Sequence, residues 1–215
     1  MSNKLIGGLS NYLKEKIEGL QDLLEMSNAE EILRRYFVMN AFDGALTMLG
    51  LVVGTYMSGS KDPNLILSAG LGASFAMGVS GFVGALITEK AERERKVKEL
   101  EHAMLTKLNN SLIDKASDTA VILAALTDSM APMMAALISA SPYLLSKIGL
   151  INFDIATYFS VSITLALVFS LGLYLGKVSK GNMILYGIYM LLAGLAISLL
   201  ILLNTGLGIW IMTFR

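Results

Sequence analysis

Five apolar stretches dominate this chain, and each is long enough to cross a membrane. They lie at residues 36–58, 65–88, 117–145, 153–176 and 183–209. A helix needs about 20 apolar residues to span the hydrocarbon core, and helices satisfy their own backbone polar groups there. The 215 residues are 54% hydrophobic, with a mean hydropathy of +0.63. The sequence therefore predicts an all-α, multi-pass integral membrane protein whose residues 36–215 form a domain of five transmembrane helices.

Lysine and arginine are unevenly divided between the segments that flank these spans. Fourteen of the 17 lie before the first span, between the second and third, or between the fourth and fifth. The other three are Lys61, Lys147 and Arg215. Because positively charged flanks stay on the cytoplasmic side, we expect a cytoplasmic amino terminus. The net charge of zero argues against a nucleic-acid partner.

Residues 1–35 precede the first span and are predicted to form an amphipathic helix. The apolar stripe consists of Leu5, Leu9, Leu13, Ile17, Leu20 and Leu24. Two positions remain open for this helix: on the cytoplasmic membrane face, or packed on the cytoplasmic loop. The chain has no cysteine, which excludes disulfides, thiolate metal sites and cysteine nucleophiles.

The first span contains an ionisable residue, Asp43, at bilayer depth. A charge there is expensive, so it normally faces protein, an ion or a hydrated path. A polar and small-residue stripe surrounds it on one helix face: Asn40, Asp43, Thr47, Gly50 and Gly54. We therefore expect Asp43 to face protein and not lipid. The second span is rich in glycine, alanine and serine, which predicts close packing against a helix of the same or a partner chain.

Two further residues are candidate cation ligands within the membrane. Met77 offers a thioether, which suits a divalent transition ion when a carboxylate is nearby, although methionine in an apolar helix usually fills core space. Asp128 lies four residues before Pro132, which has no N–H to donate to the Asp128 carbonyl. The third span thus offers a carboxylate and a backbone oxygen at one residue. The alternative is a packing kink, with Asp128 capped by Thr127 or Ser129.

The charged segment at residues 89–115 is predicted to be a cytoplasmic helical loop. It contains several acidic residues followed four positions later by a basic one, which is typical of a solvated helix. It also contains Glu89 and Glu92 three residues apart, and Glu99 with His102 as Glu-x-x-His. Carboxylate-bridged metal bundles use this spacing, so these four residues are the alternative metal-ligand prediction.

These motifs resemble the vacuolar iron transporter family, which includes iron, manganese and calcium transporters. Residues 42–54, from Phe42-Asp43-Gly44 to Gly50-Leu51-Val52-Val53-Gly54, are similar to the family's Asp-Gly-Leu-Val signature and its Gly-Leu-x-x-Gly run. Residues 67–89, with Ala76-Met77, are similar to the second-span motif. Residues 135–143 and 162–177 resemble the third and fourth spans. The resemblance covers nearly all of residues 38–208.

The resemblance implies a five-helix protomer that forms a homodimer, with helices 1 and 2 lining an ion path between protomers. Family members move Fe²⁺, Mn²⁺ or related ions out of the cytoplasm, often in exchange for protons. With no cysteine and a single histidine, the chain is not expected to be an enzyme, and no resident cofactor is expected. Asp43 and Met77 match the family's first-span carboxylate and second-span methionine. The location would be the cell membrane of a prokaryote or a vacuole-like membrane of a eukaryote.

Two features depart from the family pattern. The acidic residue that relatives often carry after the methionine falls on Gly81, and the cytoplasmic metal-collecting module is shortened to one charged segment, as in a prokaryotic-type member. These departures leave the choice of metal open. We expect a divalent transition-metal transporter that exports metal by exchange with protons. The alternative is a non-transporting membrane scaffold or metal-sensing protein, in which Asp43 and Asp128 are packed, hydrogen-bonded acids.

Overall fold

A computed structural model describes residues 29–108 and 111–213, which form five α-helices and no strand. The helices are α1 (Ala29–Met57), α2 (Pro63–Met104), α3 (Leu112–Lys147), α4 (Phe153–Val178) and α5 (Met183–Thr213). Each is long and apolar enough to cross a membrane. In α5 the segment that meets this criterion is Met183–Ile201. For the described residues, the predicted all-helical architecture is confirmed, with five helices long and apolar enough to span a membrane. Residues 1–28 of the predicted amphipathic helix lie outside the described residues.

The charged segment after the second span is largely a continuation of α2. This helix has 42 residues, or roughly 60 Å at 1.5 Å per residue, about twice the thickness of the hydrocarbon core. It contains no glycine or proline after Gly84, so nothing in its sequence ends the helix at the membrane boundary. We call residues 89–104 the charged extension. The described chain then turns through Leu105, whose φ is 51°, and α3 begins at Leu112.

The five helices are divided between two compact units. Among the described residues, the first unit contains the segment up to Tyr36 and the segment Gly81–Asp128. The second unit contains Phe37–Ser80 and continues from Ser129. Asp43 and Met77 thus belong to the second unit, whereas Asp128 and the charged extension belong to the first.

Small residues bring the helix backbones of the second unit into contact. Ala41 and Ala45 of α1 pack in a buried cluster with Ala131 and Ala135 of α3. At Gly44 the two helices approach so closely that a Cβ atom there would overlap the backbone of Pro132, with its Cα only 2.6 Å away. Because no bulky side chains lie between them, the two helices gain extensive van der Waals contact. Such contact is how helices associate in membranes.

Buried hydroxyl groups connect α3 to α4 in the same unit. The Ser160 hydroxyl donates to the Ser139 carbonyl oxygen at 2.6 Å, and the hydroxyls of Tyr143 and Thr157 lie 2.9 Å apart. All four residues are buried. Hydrogen bonds between membrane helices contribute about 0.6 kcal/mol each on average, so packing remains the main source of stability and the hydroxyls fix the register of the two helices.

Replacing Gly44 by alanine is expected to destabilise the protein. The new methyl group would overlap the Pro132 backbone, and forced overpacking typically costs about 1–3 kcal/mol. The matched control is Gly84→Ala, because a Cβ at Gly84 would have no neighbour within 4 Å and alanine is the better helix former. Thermal unfolding in detergent should show a lower Tm for Gly44→Ala and an unchanged or higher Tm for Gly84→Ala. Equal Tm values for both variants would contradict the close contact.

Candidate metal-binding residues

Asp43 lies on the exposed face of α1. The buried residues Ala41, Ala45 and Met48 define the opposite, inward face of this helix. Thr47 is exposed as well, and the rest of the predicted stripe is partly exposed. The described residues of one chain therefore leave the carboxylate uncovered, although it belongs to an apolar helix. Whether this stripe faces protein, as the sequence predicts, depends on what covers the outer surface of α1.

Met77 is half-buried and packs against an apolar cluster in the second unit. The cluster includes Met48 and Val52 of α1 and Tyr143 of α3. Within one chain, Met77 thus has the contacts of a core residue, which is the common role of methionine in apolar helices. The structure places Met77 on the packed side of α2, whereas Asp43 lies on the exposed side of α1.

Asp128 lies in the first unit, where it approaches α2 at Gly81. A Cβ atom on Gly81 would be 2.8 Å from the Asp128 carbonyl oxygen and 2.9 Å from its carboxylate Oδ2. The helix α3 continues through Pro132. The Thr127 hydroxyl donates to the Leu123 carbonyl oxygen at 2.8 Å, so its single hydrogen is not directed at Asp128. Of the two hydroxyls that the sequence offered as caps, Thr127 therefore has another acceptor.

Glu89 is held in a buried cluster with two residues of the first unit. The Tyr36 hydroxyl donates to Glu89 Oε1 at 2.9 Å, and Arg93 Nε lies 3.5 Å from Oε2. Glu89 and Arg93 are only 8% and 7% exposed. The four-residue spacing of Glu89 and Arg93 had predicted a pair on a solvated helix. The sequence analysis did not single out Tyr36. The one sequence feature that could have pointed to Tyr36 is its position at the start of a span, because tyrosine hydroxyls there commonly lie at the polar membrane interface.

The remaining candidate ligands lie on the exposed surface of the charged extension. Arg95 bridges two of them, with nitrogen–oxygen distances of 2.7 Å to Glu92 and 3.0 Å to Glu99. The hydrogen bond from Arg95 lowers the pKa of the Glu92 carboxyl, which keeps it ionised near neutral pH. His102 is exposed on the same helix. Within residues 29–108 and 111–213, no three His, Asp or Glu side chains are grouped so that they could hold a metal ion.

Five helices long and apolar enough to cross a membrane, with Asp43 and Asp128 inside the apolar spans of α1 and α3, define the class of this chain: a multi-pass helical membrane protein. No protein-family model matches it. It is 37% identical over 171 residues to the uncharacterized protein MJ0645 of Methanocaldococcus jannaschii, an alignment that covers 77% of this chain and 85% of the archaeal protein. At this identity and coverage, the chain belongs to the same family as that protein, whose name states no activity.

The buried cluster around Glu89 predicts a stability effect at Tyr36. Tyr36→Phe removes one hydrogen bond to a charged, buried acceptor, a change that typically costs about 1.5–3 kcal/mol. The control is Glu94→Gln, because the ion pair of Glu94 with Lys90 is exposed and 3.9 Å long, and such pairs contribute about 0–1 kcal/mol. Thermal unfolding of the full-length protein should show a clear drop in Tm for Tyr36→Phe only. A drop of equal size in both variants would argue against a buried Glu89.

Proposed function

We propose that this protein transports a divalent transition metal ion, Fe²⁺ or Mn²⁺, out of the cytoplasm in exchange for protons. The observation that carries the proposal is the carboxylate of Asp43 on the exposed face of an apolar helix. A charged group at this depth is too costly to leave against lipid and marks ion pathways in membrane proteins. The resemblance of residues 42–54 to the vacuolar iron transporter signature supports the same reading.

A homodimer would explain how Asp43 is kept away from lipid. A second copy packed against the outer face of α1 would cover the exposed Asp43 and Thr47. The neighbouring glycines favour such a contact, because a Cβ on Gly54 of α1 or Gly72 of α2 would meet nothing within 4 Å in one chain. Small residues of this kind permit close approach of a partner helix. The ion path would then run between protomers, lined by α1 and α2, with the amino terminus in the cytoplasm.

Competition between metal and proton at Asp43 would couple the two fluxes. In a medium of low dielectric constant a carboxylate favours its neutral, protonated form, and a divalent cation is the other partner that can neutralise it. Binding of metal from the cytoplasm would release the proton, and release of metal on the other side would allow a proton to bind. Met77 would add a softer ligand for Fe²⁺ only if its side chain left the apolar cluster in which it packs within one chain.

The alternative function is a non-transporting scaffold or metal-sensing protein, and the ion pairs of the charged extension favour the scaffold. Glu89 has Tyr36 and Arg93 as partners, and Arg95 bridges Glu92 and Glu99. Such ion pairs stabilise a helix and would have to open before these carboxylates could bind metal. The two functions differ in metal flux, which only a transporter produces.

The Asp43→Asn variant is expected to lose metal flux and the accompanying proton flux. Asparagine keeps the size of the side chain but can neither release a proton nor offer a negative charge. Full-length protein in proteoliposomes would receive Fe²⁺, Mn²⁺, Co²⁺ or Ca²⁺ separately, with internal pH recorded. The control is Asp62→Asn, in the α1–α2 loop, where the side chain caps the Asn64 backbone N–H. Wild-type flux in Asp43→Asn would remove Asp43 from the mechanism, and no flux of any ion through folded wild-type protein would favour the scaffold or sensor.

The dimer can be tested by cross-linking, because the chain has no native cysteine. Thr47→Cys places one thiol beside Asp43, and a disulfide forms only when two Cβ atoms approach to about 3.5–4.5 Å. We expect oxidation in membranes to give a covalent dimer with Thr47→Cys. Leu192→Cys on α5, where the leucine is 55% exposed, should stay monomeric. Dimer formation through position 192 alone would place the interface on another surface.

A further inference from the structure

A cavity of about 120 Å³ lies between the charged extension of α2 and the start of α3, within the first unit. Its polar lining residues are Arg93, Lys96 and Ser117, and its apolar ones include Leu100 and Ile113. None of the residues that line it is acidic. Two positive charges and a hydroxyl group make this lining suitable for a small anionic group.

Both basic side chains point back along α2 toward the membrane. Arg93 Nε lies 3.5 Å from Glu89 and Lys96 Nζ lies 3.8 Å from Glu92, and each acid is one turn earlier in the helix. The apolar stretch of α2 ends at residue 88, so Glu92 lies roughly 6 Å beyond it along the helix axis. A headgroup layer extends about 5–7 Å beyond the hydrocarbon core. The two cationic groups therefore lie at the level of lipid phosphates.

The cavity is polar at the end nearer the membrane and apolar at the far end. Ser117 is the first residue of the apolar stretch of α3 and lies next to the membrane boundary. Ile113 lies one turn farther out on α3, Leu100 lies farther out on α2, and both are exposed. An anionic group that enters from the bilayer meets the hydroxyl and the two cations, whereas one that enters from water passes two apolar side chains. This arrangement favours a membrane lipid over a soluble anion.

Lys96 is the basic side chain that can turn toward such a ligand. Its ion pair with Glu92 is long and exposed, and Glu92 makes a shorter ion pair with Arg95, at 2.7 Å. Exposed pairs contribute little to stability, so Lys96 can exchange Glu92 for a phosphate group at small cost. Arg93, in contrast, is buried and paired with Glu89. It forms a fixed part of the cavity wall.

We propose that this cavity binds the phosphate group of an anionic membrane lipid, with Lys96 and Ser117 as its binding residues. Basic cavities between membrane helices near the cytoplasmic surface suit anionic headgroups, and the acyl chains would remain in the bilayer. A bound lipid would hold the charged extension against the start of α3. The proposal goes beyond metal transport and does not depend on it, because lipid binding is measured without a metal ion.

The first test compares Lys96→Gln with Lys98→Gln in the full-length, detergent-purified protein. Both lysines are exposed on α2, but Lys98 lines a neighbouring cavity that also contains four acidic residues. Native mass spectrometry would measure binding of phosphatidylglycerol and of zwitterionic phosphatidylcholine with the same acyl chains. Wild-type protein should prefer phosphatidylglycerol. Lys96→Gln should weaken its binding about fivefold, the scale of one basic residue at an anionic membrane surface, and Lys98→Gln should match the wild type.

Three results of this test would overturn the proposal. Equal weakening in both lysine variants would show a general attraction of anions to the charged extension. Unchanged binding in Lys96→Gln would exclude that residue from the site. Equal affinity of the wild-type protein for the two lipids would show that the cavity does not recognise an anionic headgroup.

The second test removes the hydroxyl group at the membrane end of the cavity. Ser117→Ala should weaken phosphatidylglycerol binding about threefold, a typical effect for one hydrogen bond. The control is Thr119→Val, because the Thr119 hydroxyl donates to the Lys115 carbonyl oxygen at 2.8 Å within α3 and does not line the cavity. Loss of binding in Lys96→Gln but not in Ser117→Ala would place the lipid on the surface of the extension and overturn the cavity as its site.

Inorganic phosphate distinguishes a membrane lipid from a soluble anion. We expect phosphatidylglycerol to stay bound when inorganic phosphate is added at equal concentration, because the detergent micelle holds the lipid beside the polar end of the cavity. Displacement of the lipid under these conditions would identify a site for soluble phosphate and overturn the choice of a lipid.

Discussion

The contact between Gly44 of α1 and Pro132 of α3 is the constraint on which the packing of the second unit depends. In a bilayer the hydrophobic effect does not hold helices together, because lipid is as apolar as leucine, so association depends on close van der Waals contact. Glycine at position 44 allows two backbones to touch. The alanines at 41, 45, 131 and 135 extend that contact along both helices, and the buried hydroxyls of Ser160 and Thr157 then add α4.

Acidic side chains have different surroundings inside and outside the apolar part of the helices. In the charged extension, acidic residues lie next to arginine or lysine, and Arg95 forms ion pairs with both Glu92 and Glu99. Asp43, in contrast, lies on an exposed face of an apolar helix. An ion pair on a solvated helix contributes little, whereas an uncovered acid in a bilayer is expensive. This difference in cost is the reason why Asp43, and not the larger number of glutamates, carries the functional proposal.

Glycines serve two separate purposes in α1 and α2. Gly44, Gly70, Gly78 and Gly81 contact Pro132, Met48, Met133 and Asp128 of the same chain. Gly54 and Gly72 have open space where a Cβ would be. The first group makes close helix contacts within each unit of the chain, whereas the second group leaves room for a partner. One compositional feature therefore contributes both to the stability of a single chain and to the proposed dimer.

The sequence by itself determined the five helical spans, because the length and apolarity of each stretch suffice to predict a helix in a membrane, and it singled out Asp43 and Asp128 by the cost of burying charge. It could not determine that α2 continues for 16 residues past its apolar part, since charged residues with high helix propensity suit both a separate helix and an extension. It also did not reveal that Tyr36 bonds to Glu89 or that Gly81 admits Asp128. Those contacts join residues 53 and 47 positions apart, and only the tertiary packing of the helices decides which distant faces meet.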